Sequence, residues 1–541
     1  MGKRADTFDL VFPAGASAVR NFGTGKWAGN FFMPIPRNTY FEMHDEICRA
    51  YGKAIESLDT SKEPYLSWAV NYKITYQIAE YLYRKLFIDK LRAEGFESIY
   101  ISSEIKLGDA EIKLPELLSF PVISVNRCIF CLVVEKWRAI RTNWGGCGFH
   151  RYLLPSVFTS SLYVLGGKGG GEVKAYLKDL GVEPVNLRPD LYIGKDSSSK
   201  FTSETETASG VFQNEMSGIL KKYGLALPEG YWKDLSRYLD ECSQLISGTR
   251  RKISGWARTE LIINPVANLK HRVFASAWRL SGGSVTGTTH GNMFAYGNVP
   301  GDMINGSNII LNKLVTMSLG EKELFENARA TFKTGLESYA EVYSCRNTIY
   351  SDMSKRLRKG SPVKSVKKVM LIGSPLNDDL QLSDRLCYLL MEIELVSLLV
   401  KNNYHVVYKA HPDTLDETKD LFDDAGCERS NDRFENVWES CDCILFPHVF
   451  TTVFGLSLMT SKHIIALSWK GNSAWNPEVL ELLKKRICII NVDYSCDGKP
   501  FLDSQALLDS LSSPKEPDYS VVDKFALDLT LSAQSECSAN T

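Results

Sequence analysis

The C-terminal part of the chain alternates short apolar runs with stretches of helical spacing. β-type runs are predicted at residues 369–373, 405–409, 442–446, 463–467 and 487–492. Helical spacing covers residues 387–402, 415–425, 434–441, 453–459 and 477–486. Strands that alternate with helices over short connections predict an α/β fold, in which helices cover both faces of a parallel sheet.

The preceding part of the chain has a less regular pattern. Helical spacing occurs at residues 41–58, 65–94, 231–246, 268–280 and 321–330. β-type runs occur at residues 8–12, 98–102, 121–125, 284–289 and 314–318. The Gly-rich residues 166–171 lack the Walker spacing, so they predict a flexible turn. The Ser/Thr-rich residues 195–210 predict an exposed insertion.

Length and local composition predict the domain boundaries. A chain of 541 residues is too long for one core, and about two to four domains are expected. Residues 355–368 are rich in Lys and Arg and contain Gly, Ser and Pro, which is typical of a linker. We predict an N-terminal domain (1–345), a basic linker (346–368), a second domain (369–512) and a tail (513–541) whose helix crosses back to the first domain.

Charge and cysteine content narrow the classes of function. The net charge of −1 gives no electrostatic reason to expect nucleic-acid binding. No apolar run approaches the ~20 residues that span a bilayer, and residues 1–6 lack the apolar core of a signal peptide. We therefore expect a cytoplasmic protein. The 13 scattered cysteines favour reduced thiols over a disulfide framework. The pair Cys128 and Cys131 stands alone, and we predict no metal site and no cofactor.

Polar residues follow several of the predicted C-terminal strands. Ligands of doubly wound sheets bind outside the carboxyl ends of the strands, so these residues could converge on one crevice. They are Gly373, Ser374, His411, Pro412, His448, Thr451, Thr452 and Lys470.

Each of these residues has a functional and an ordinary interpretation. His411 could bind a base, a ribose or a phosphate, but a His-Pro after a strand is also a common turn. Thr451 and Thr452 precede a helix whose unpaired N–H groups favour phosphate, although Thr is also a frequent N-cap. Lys470 could offset the charge of a leaving group. Their shared place at strand ends favours a nucleotide site.

A second candidate site follows the predicted strand 284–289. His290, Gly291 and Asn292 lie at this strand-to-loop junction. His290 could act as a general base toward an acceptor hydroxyl, because the ordinary imidazole pKa is near neutral. It could equally bind a phosphate or stabilise a turn.

The C-terminal motifs resemble those of metal-independent GT-B glycosyltransferases. A strand ending in Lys409-Ala410-His411-Pro412 is followed by a strand that leads to Thr451-Thr452 at a helix start. This resembles bacterial polysialyltransferases, capsule and O-antigen Kdo transferases, and CDP-glycerol glycerophosphotransferases. In those families the His-Pro and the Ser/Thr pair contact the donor nucleotide, often a cytidine nucleotide. The resemblance gives that role to His411, Pro412, Thr451 and Thr452.

The N-terminal part is similar to surface-carbohydrate transferases of bacterial lipopolysaccharide loci. The similarity rests on an aromatic helix at residues 67–87, a helix at 274–278, Gly282-Gly283, the His290-Gly291 pair and Tyr296-Gly297. It implies a GT-B architecture, in which two Rossmann-like domains face each other across a cleft. His290 would be the catalytic base. Some members use a carboxylate instead, and Glu104 and Asp302 are the candidates.

The resemblance implies transfer of a sugar, such as Kdo or another acidic sugar from a CMP-sugar, to a surface glycan or a lipid-linked acceptor. The process would be lipopolysaccharide, capsule or O-antigen biosynthesis in a bacterium. The basic linker could touch anionic lipid near a lipid-linked acceptor, at the inner face of the cytoplasmic membrane, but its lack of an amphipathic apolar face favours a solvated linker. Two alternatives stay open. One is a nucleotide-sugar epimerase of the same shape. The other is an inactive scaffold, because Gly455 and Leu456 stand where an acidic residue usually follows the Ser/Thr pair.

Overall fold

In the part of the chain that the structure describes, the fold is α/β and contains three sheets, of three, six and seven strands. The computed structural model describes residues 11–13, 19–20, 23–59, 66, 68–69, 73–96, 98–101, 104–107, 162–165, 171–182, 184–187, 189, 192–196, 203–263, 269–289, 296, 310–331, 340–345, 348–376, 382–415, 418–422, 425–470, 475–496 and 498–527. The predicted strand at 121–125, the turn at 166–170 and the Cys128–Cys131 pair lie outside these residues.

The first sheet is small, with three short strands. Its strands are β1 (Val11–Pro13), β2 (Ser98–Ile101) and β3 (Glu104–Leu107); β2 runs parallel to β1 and antiparallel to β3. Between β1 and β2 the chain forms α1 (Thr24–Gly29), α2 (Asn38–Glu56) and α3 (Lys73–Ala93). Met43, Ile47 and Ala54 of α2 are buried, since their spacing places them on one face of the helix.

The second sheet has six strands, all parallel, in the order β5-β4-β6-β7-β8-β9. Its elements are β4 (Leu162–Leu165), α4 (Gly171–Leu180), β5 (Val185–Leu187), α5 (Ser203–Tyr223), α6 (Tyr231–Ile253), β6 (Glu260–Ile263), α7 (Leu269–Leu280), β7 (Ser284–Thr288), β8 (Lys313–Thr316), α8 (Leu319–Thr331), β9 (Glu341–Ser344) and α9 (Thr348–Leu357).

Two predictions in this part of the chain were wrong in part. Residues 203–210, predicted as an exposed insertion, begin helix α5. Glu204 and Glu206 stabilise its first turn, and the buried Ala208 and Phe212 begin its apolar face. The segment predicted as a basic linker starts with α9, whose Leu357 is fully buried.

The third sheet has seven strands in the order β12-β11-β10-β13-β14-β15-β16; all are parallel except β16, which runs antiparallel to β15. Its elements are β10 (Lys368–Ile372), α10 (Leu382–Lys401), β11 (His405–Lys409), β12 (Glu428–Ser430), α11 (Phe434–Val437), β13 (Cys443–Phe446), α12 (Thr452–Leu458), β14 (His463–Trp469), α13 (Pro477–Arg486), β15 (Cys488–Tyr494), β16 (Pro500–Leu502), α14 (Ser504–Ser512) and α15 (Ser520–Val522).

The five predicted C-terminal strands are all present, but the predicted helix at 415–425 is not. The described residues there form turns, preceded by a 3-10 helix at Pro412–Thr414. Asp420 has a φ of 58°, which is left-handed and breaks a helical run. The predicted tail helix 521–531 is formed only as α15 and a π-helical turn, Asp523–Leu527, within the described residues.

The C-terminal segment, residues 513–527, contacts elements of both large sheets. The Tyr519 hydroxyl donates to the Thr460 carbonyl over 3.2 Å, beyond the end of α12. Asp523 forms an ion pair with Arg358, which follows α9. The Ser318 hydroxyl, at the start of α8, donates to the Phe525 carbonyl. The segment therefore links the six-stranded sheet to the seven-stranded sheet.

Beneath this segment, the fully buried Arg486 holds the C-terminal end of α12. Its guanidinium donates to the carbonyl oxygens of Ser457, Leu458, Thr460 and Lys462. These carbonyls include groups that a helix end leaves without intrahelical partners. The guanidinium also lies 5.8 Å from the centroid of the Tyr519 ring.

Candidate functional site

In the seven-stranded sheet, the direction in which the chain adds successive strands reverses between β10 and β13. These strands are neighbours, although β11 and β12 separate them in the chain. The connection after β10 leads to β11 on one side, and the connection after β13 leads to β14 on the other. Such a switch point opens a crevice outside the carboxyl ends of the two strands. Leu371 pairs with Leu445, so Gly373 and Pro447 leave the sheet close to each other.

Gly373 begins the turn after β10 and approaches β11 closely. Its N–H donates to the Lys409 carbonyl over 2.9 Å. A Cβ atom at this position would lie 2.5 Å from the Tyr408 hydroxyl and 3.2 Å from the Lys409 carbonyl. Only glycine therefore allows this turn to lie against the end of β11.

A buried carboxylate, Glu392 of α10, supports the same turn. Glu392 accepts the Ser374 N–H over 2.7 Å and the Tyr408 hydroxyl over 2.9 Å. Burial raises the pKa of Glu392 to about 7, against the opposing effect of these hydrogen bonds. Sequence reasoning missed Glu392. An acid between Met391 and Ile393, in the apolar middle of the helix, was the available signal.

His411 and His448 lie near each other at this edge. His411 is partly exposed after β11, and its carbonyl accepts the Thr414 N–H over 3.1 Å. His448, after β13, is 7% exposed, and its ring centroid lies 5.4 Å from that of Tyr388. Burial, with a smaller effect of the neighbouring His411, lowers the pKa of His448 to about 4. His448 is therefore a neutral imidazole at neutral pH.

Arg37, at the start of α2, reaches this edge from the N-terminal helices. It is 3% exposed, pairs with Asp384 and donates to the Tyr388 hydroxyl over 3.2 Å. Its guanidinium lies 5.3 Å from the centroid of Trp469, at the end of β14. Trp469 in turn donates its indole N–H to the Pro447 carbonyl over 2.7 Å. Sequence reasoning missed Arg37, because no local pattern connects it to a strand so distant in the chain.

The other predicted donor residues lie at a helix start or on the exposed surface. Thr451 is the N-cap of α12, and its hydroxyl accepts the Val453 N–H over 3.4 Å. Thr452 is the first residue of that seven-residue helix. Pro412 is exposed and begins the 3-10 helix. The Lys470 side chain is 71% exposed and pairs with Asp493 of β15 over 2.6 Å.

Most of the predicted acceptor residues lie outside the part of the chain that the structure describes. His290, Gly291, Asn292 and Asp302 lie outside the described residues, and Glu104 is described only through its backbone in β3. On either side of His290 in the sequence, Thr289 and Tyr296 are described.

Thr289 and Tyr296 connect the carboxyl end of β7 to the seven-stranded sheet. The Thr289 N–H donates to the Val315 carbonyl over 3.1 Å. Tyr296 is fully buried, with its ring centroid 6.1 Å from that of Phe454 in α12. Its carbonyl accepts the Asn476 N–H over 3.2 Å. The segment after β7 therefore meets the helix that starts at the switch point.

Buried acids also occur at the carboxyl edge of the six-stranded sheet. Glu172, in the first turn of α4, accepts the Tyr350 hydroxyl over 2.7 Å. Glu321 of α8 accepts the Met317 N–H over 2.6 Å, and its own N–H donates to the Ser318 hydroxyl. Burial, reinforced by Glu172, raises the pKa of Tyr350.

The sequence matches no protein-family model, and no curated protein matches it at a significant level. In the described part of the chain, no group of three or more His, Cys, Asp or Glu side chains is arranged to hold a metal ion. None of the helices described combines the length and apolar character that crossing a membrane requires.

Proposed function

We propose that the protein is a metal-independent GT-B glycosyltransferase. It transfers a sugar from a nucleotide donor to a glycan or lipid-linked acceptor. The observation that carries this proposal is the position of Gly373, Ser374, His411 and His448, which surround the switch point of a doubly wound sheet. Numbered from β10, the parallel strands of that sheet run 3-2-1-4-5-6, an order typical of nucleotide-binding folds.

Contacts between the two large sheets support a GT-B arrangement, in which an acceptor-binding domain faces a donor-binding domain. Tyr296, after β7 of one sheet, packs on Phe454 of α12, which follows β13 of the other. This contact brings Tyr296, six residues after His290 in the sequence, to the first turn of α12 at the switch point. This is the relation that a GT-B enzyme needs between its two Rossmann-like domains.

The proposed reaction proceeds by displacement at the anomeric carbon. The neutral imidazole of His290 takes the proton of the acceptor hydroxyl as its oxygen forms the new C–O bond. The bond between the anomeric carbon and the phosphate oxygen breaks, and the nucleotide leaves with that electron pair. His411, at the rim of the crevice, donates a hydrogen bond to the departing phosphate.

The donor class and cellular setting follow from the resemblance in the motifs. A CMP-activated acidic sugar such as Kdo is the proposed donor, and a bacterial surface polysaccharide is the proposed product. The enzyme would work in the cytoplasm, at the inner face of the membrane where lipid-linked acceptors are presented.

The test combines nucleotide binding with turnover of the full chain. CMP, CDP, UDP, GDP and their sugars are screened by thermal shift, since a ligand specific to the folded state raises Tm. The donor that binds is then incubated with and without glycan acceptors in EDTA, and products are identified by mass. We expect one nucleotide to raise Tm and one acceptor to gain a sugar.

Matched histidine variants locate the site. His411→Ala should reduce turnover by about 100-fold, the effect of losing one donor to a departing anion. His405→Ala is the control, because His405 is at the opposite end of the same strand and 57% exposed. Failure of every nucleotide to raise Tm would refute the proposal. An isomerised donor without acceptor would favour an epimerase, and binding without turnover would favour a scaffold.

A further inference from the structure

His448 is a buried imidazole whose two ring nitrogens lack hydrogen-bond partners on any other described residue. Nδ1 and Nε2 are both inaccessible to solvent, and the residue is 7% exposed. Nearly all buried polar groups in folded proteins are paired, because an unpaired one loses its bonds to water. A group bound in the switch-point crevice could complete these bonds once the side chains that cover the ring move aside.

The surroundings of His448 suit an uncharged group. His411 lies beside it, and the Tyr388 ring packs near its face. Arg37, which donates to the Tyr388 hydroxyl over 3.2 Å, is already paired with Asp384. A phosphate would be better placed beside a cation that has no carboxylate partner.

The protonation state of His448 also favours an uncharged ligand group. Its lowered pKa leaves a neutral ring, with one N–H donor and one acceptor nitrogen. Such a ring pairs with a group that both donates and accepts, such as a ribose hydroxyl or the edge of a nucleobase.

We infer that His448 recognises the nucleoside part of the donor through an uncharged hydroxyl or base edge, while the phosphate lies nearer to His411. This inference rests on the proposed function and adds a specificity-determining residue to it. The buried His448 would then discriminate the nucleoside, and the more exposed His411 would contact the phosphate.

The test separates nucleoside binding from phosphate binding. Affinities of cytidine, uridine and guanosine and of their 5′-monophosphates are measured by calorimetry for the wild type, His448→Leu and His448→Gln. In His448→Leu we expect the nucleoside and its monophosphate to lose affinity by the same factor, about tenfold or more. His448→Gln keeps one donor and one acceptor and should recover part of this loss.

A structural role is tested by Tm. His448→Leu should leave the Tm of the ligand-free protein unchanged or higher, because it removes polar atoms that lack partners. His463→Ala is the matched control. His463 is also fully buried in this sheet, but its Nδ1 accepts the Lys515 N–H over 3.1 Å. Its loss should lower Tm and leave nucleoside affinity unchanged.

The remaining outcomes are decisive. The 2′-deoxynucleoside then identifies the group that His448 contacts. If it binds the wild type as weakly as the nucleoside binds His448→Leu, the contact is the ribose 2′-hydroxyl. If it binds the wild type as tightly as the nucleoside does, the contact is the base. Unchanged nucleoside affinity in His448→Leu, or a loss confined to the monophosphate, would overturn the inference while the proposed function stands. A wild type that binds no nucleoside and no nucleotide would refute both.

Discussion

Each large sheet has, at its carboxyl edge, a buried glutamate that accepts a hydrogen bond from a tyrosine hydroxyl. In the seven-stranded sheet the pair is Glu392 and Tyr408, 2.9 Å apart; in the six-stranded sheet it is Glu172 and Tyr350, 2.7 Å apart. The surroundings differ. Glu172 lies in the first turn of α4, where free N–H groups stabilise a negative charge, whereas Glu392 lies within α10.

The glutamate–tyrosine pair therefore has a different role in each sheet. Without a helix terminus, burial dominates at Glu392 and its pKa rises to about 7. Glu392 also holds the backbone of Ser374, so the shape of the turn after β10 depends on a carboxyl that titrates near neutral pH. Glu172 instead joins two helices, α4 and α9.

The largest expected difference between the two pairs is a pH dependence of the free energy of unfolding that comes from Glu392. The folded carboxyl keeps its proton up to pH 7, whereas the unfolded one loses it near 4.5. Between these values the folded state binds more protons, so the free energy of unfolding falls as pH rises. We expect wild type to lose about 3 kcal/mol relative to Glu392→Gln between pH 4.5 and 7, measured by denaturant unfolding.

Glu394→Gln provides the control for that measurement. Glu394 is in the same helix but is part-exposed, and it pairs with Lys499 over 2.9 Å. Its replacement should change stability by less than about 1 kcal/mol. If the stability curves of wild type and Glu392→Gln run parallel over this pH range, the explanation by burial is wrong.

The pair in the six-stranded sheet should show an intermediate effect. Tyr350→Phe leaves the buried Glu172 without its hydroxyl donor and should lower the free energy of unfolding by about 2 kcal/mol. Tyr343→Phe, at an exposed tyrosine of β9, should change it by less than about 0.5 kcal/mol. Equal losses in the two variants would mean that the Glu172 contact contributes nothing specific.

The smallest effect is expected at Lys470. Its ion pair with Asp493 is largely exposed, so Lys470→Ala should change stability by at most about 0.5 kcal/mol. Donor affinity should also be unchanged, since the ammonium points toward β15. A clear loss of nucleotide affinity in calorimetry would show that Lys470 turns into the crevice when donor binds.

Local patterns predicted the C-terminal elements better than their arrangement. The strands at 405–409 and 463–467 were predicted because each is an apolar run bounded by polar residues. The placement of β10 beside β13 depends on pairing between distant residues, which no periodicity reveals. The short strands β12 and β16 have too few residues to carry a pattern, and they were missed.

The candidate site also combines residues that the local sequence predicts with residues that only tertiary packing reveals. His411, Gly373 and Ser374 could be found from the sequence, because each follows a recognisable strand. Arg37 could not, since its partners Asp384 and Trp469 are brought to it only by tertiary packing. Glu392 was visible as an acid in an apolar helix, but its contact with the Ser374 turn requires the fold.

Arg486 binds the last turn of α12 and faces Tyr519, so the C-terminal segment helps to hold this helix in position. One end of α12 lies at the switch point, and the other is held by Arg486, whose guanidinium faces Tyr519. A chain cut before Tyr519 would lose that ring, its bond to Thr460 and the contacts made by Asp523 and Phe525. Proteolytic cleavage or a bulky fusion near residue 519 would therefore weaken the contacts that hold one end of α12, and the other end of this helix lies at the switch point.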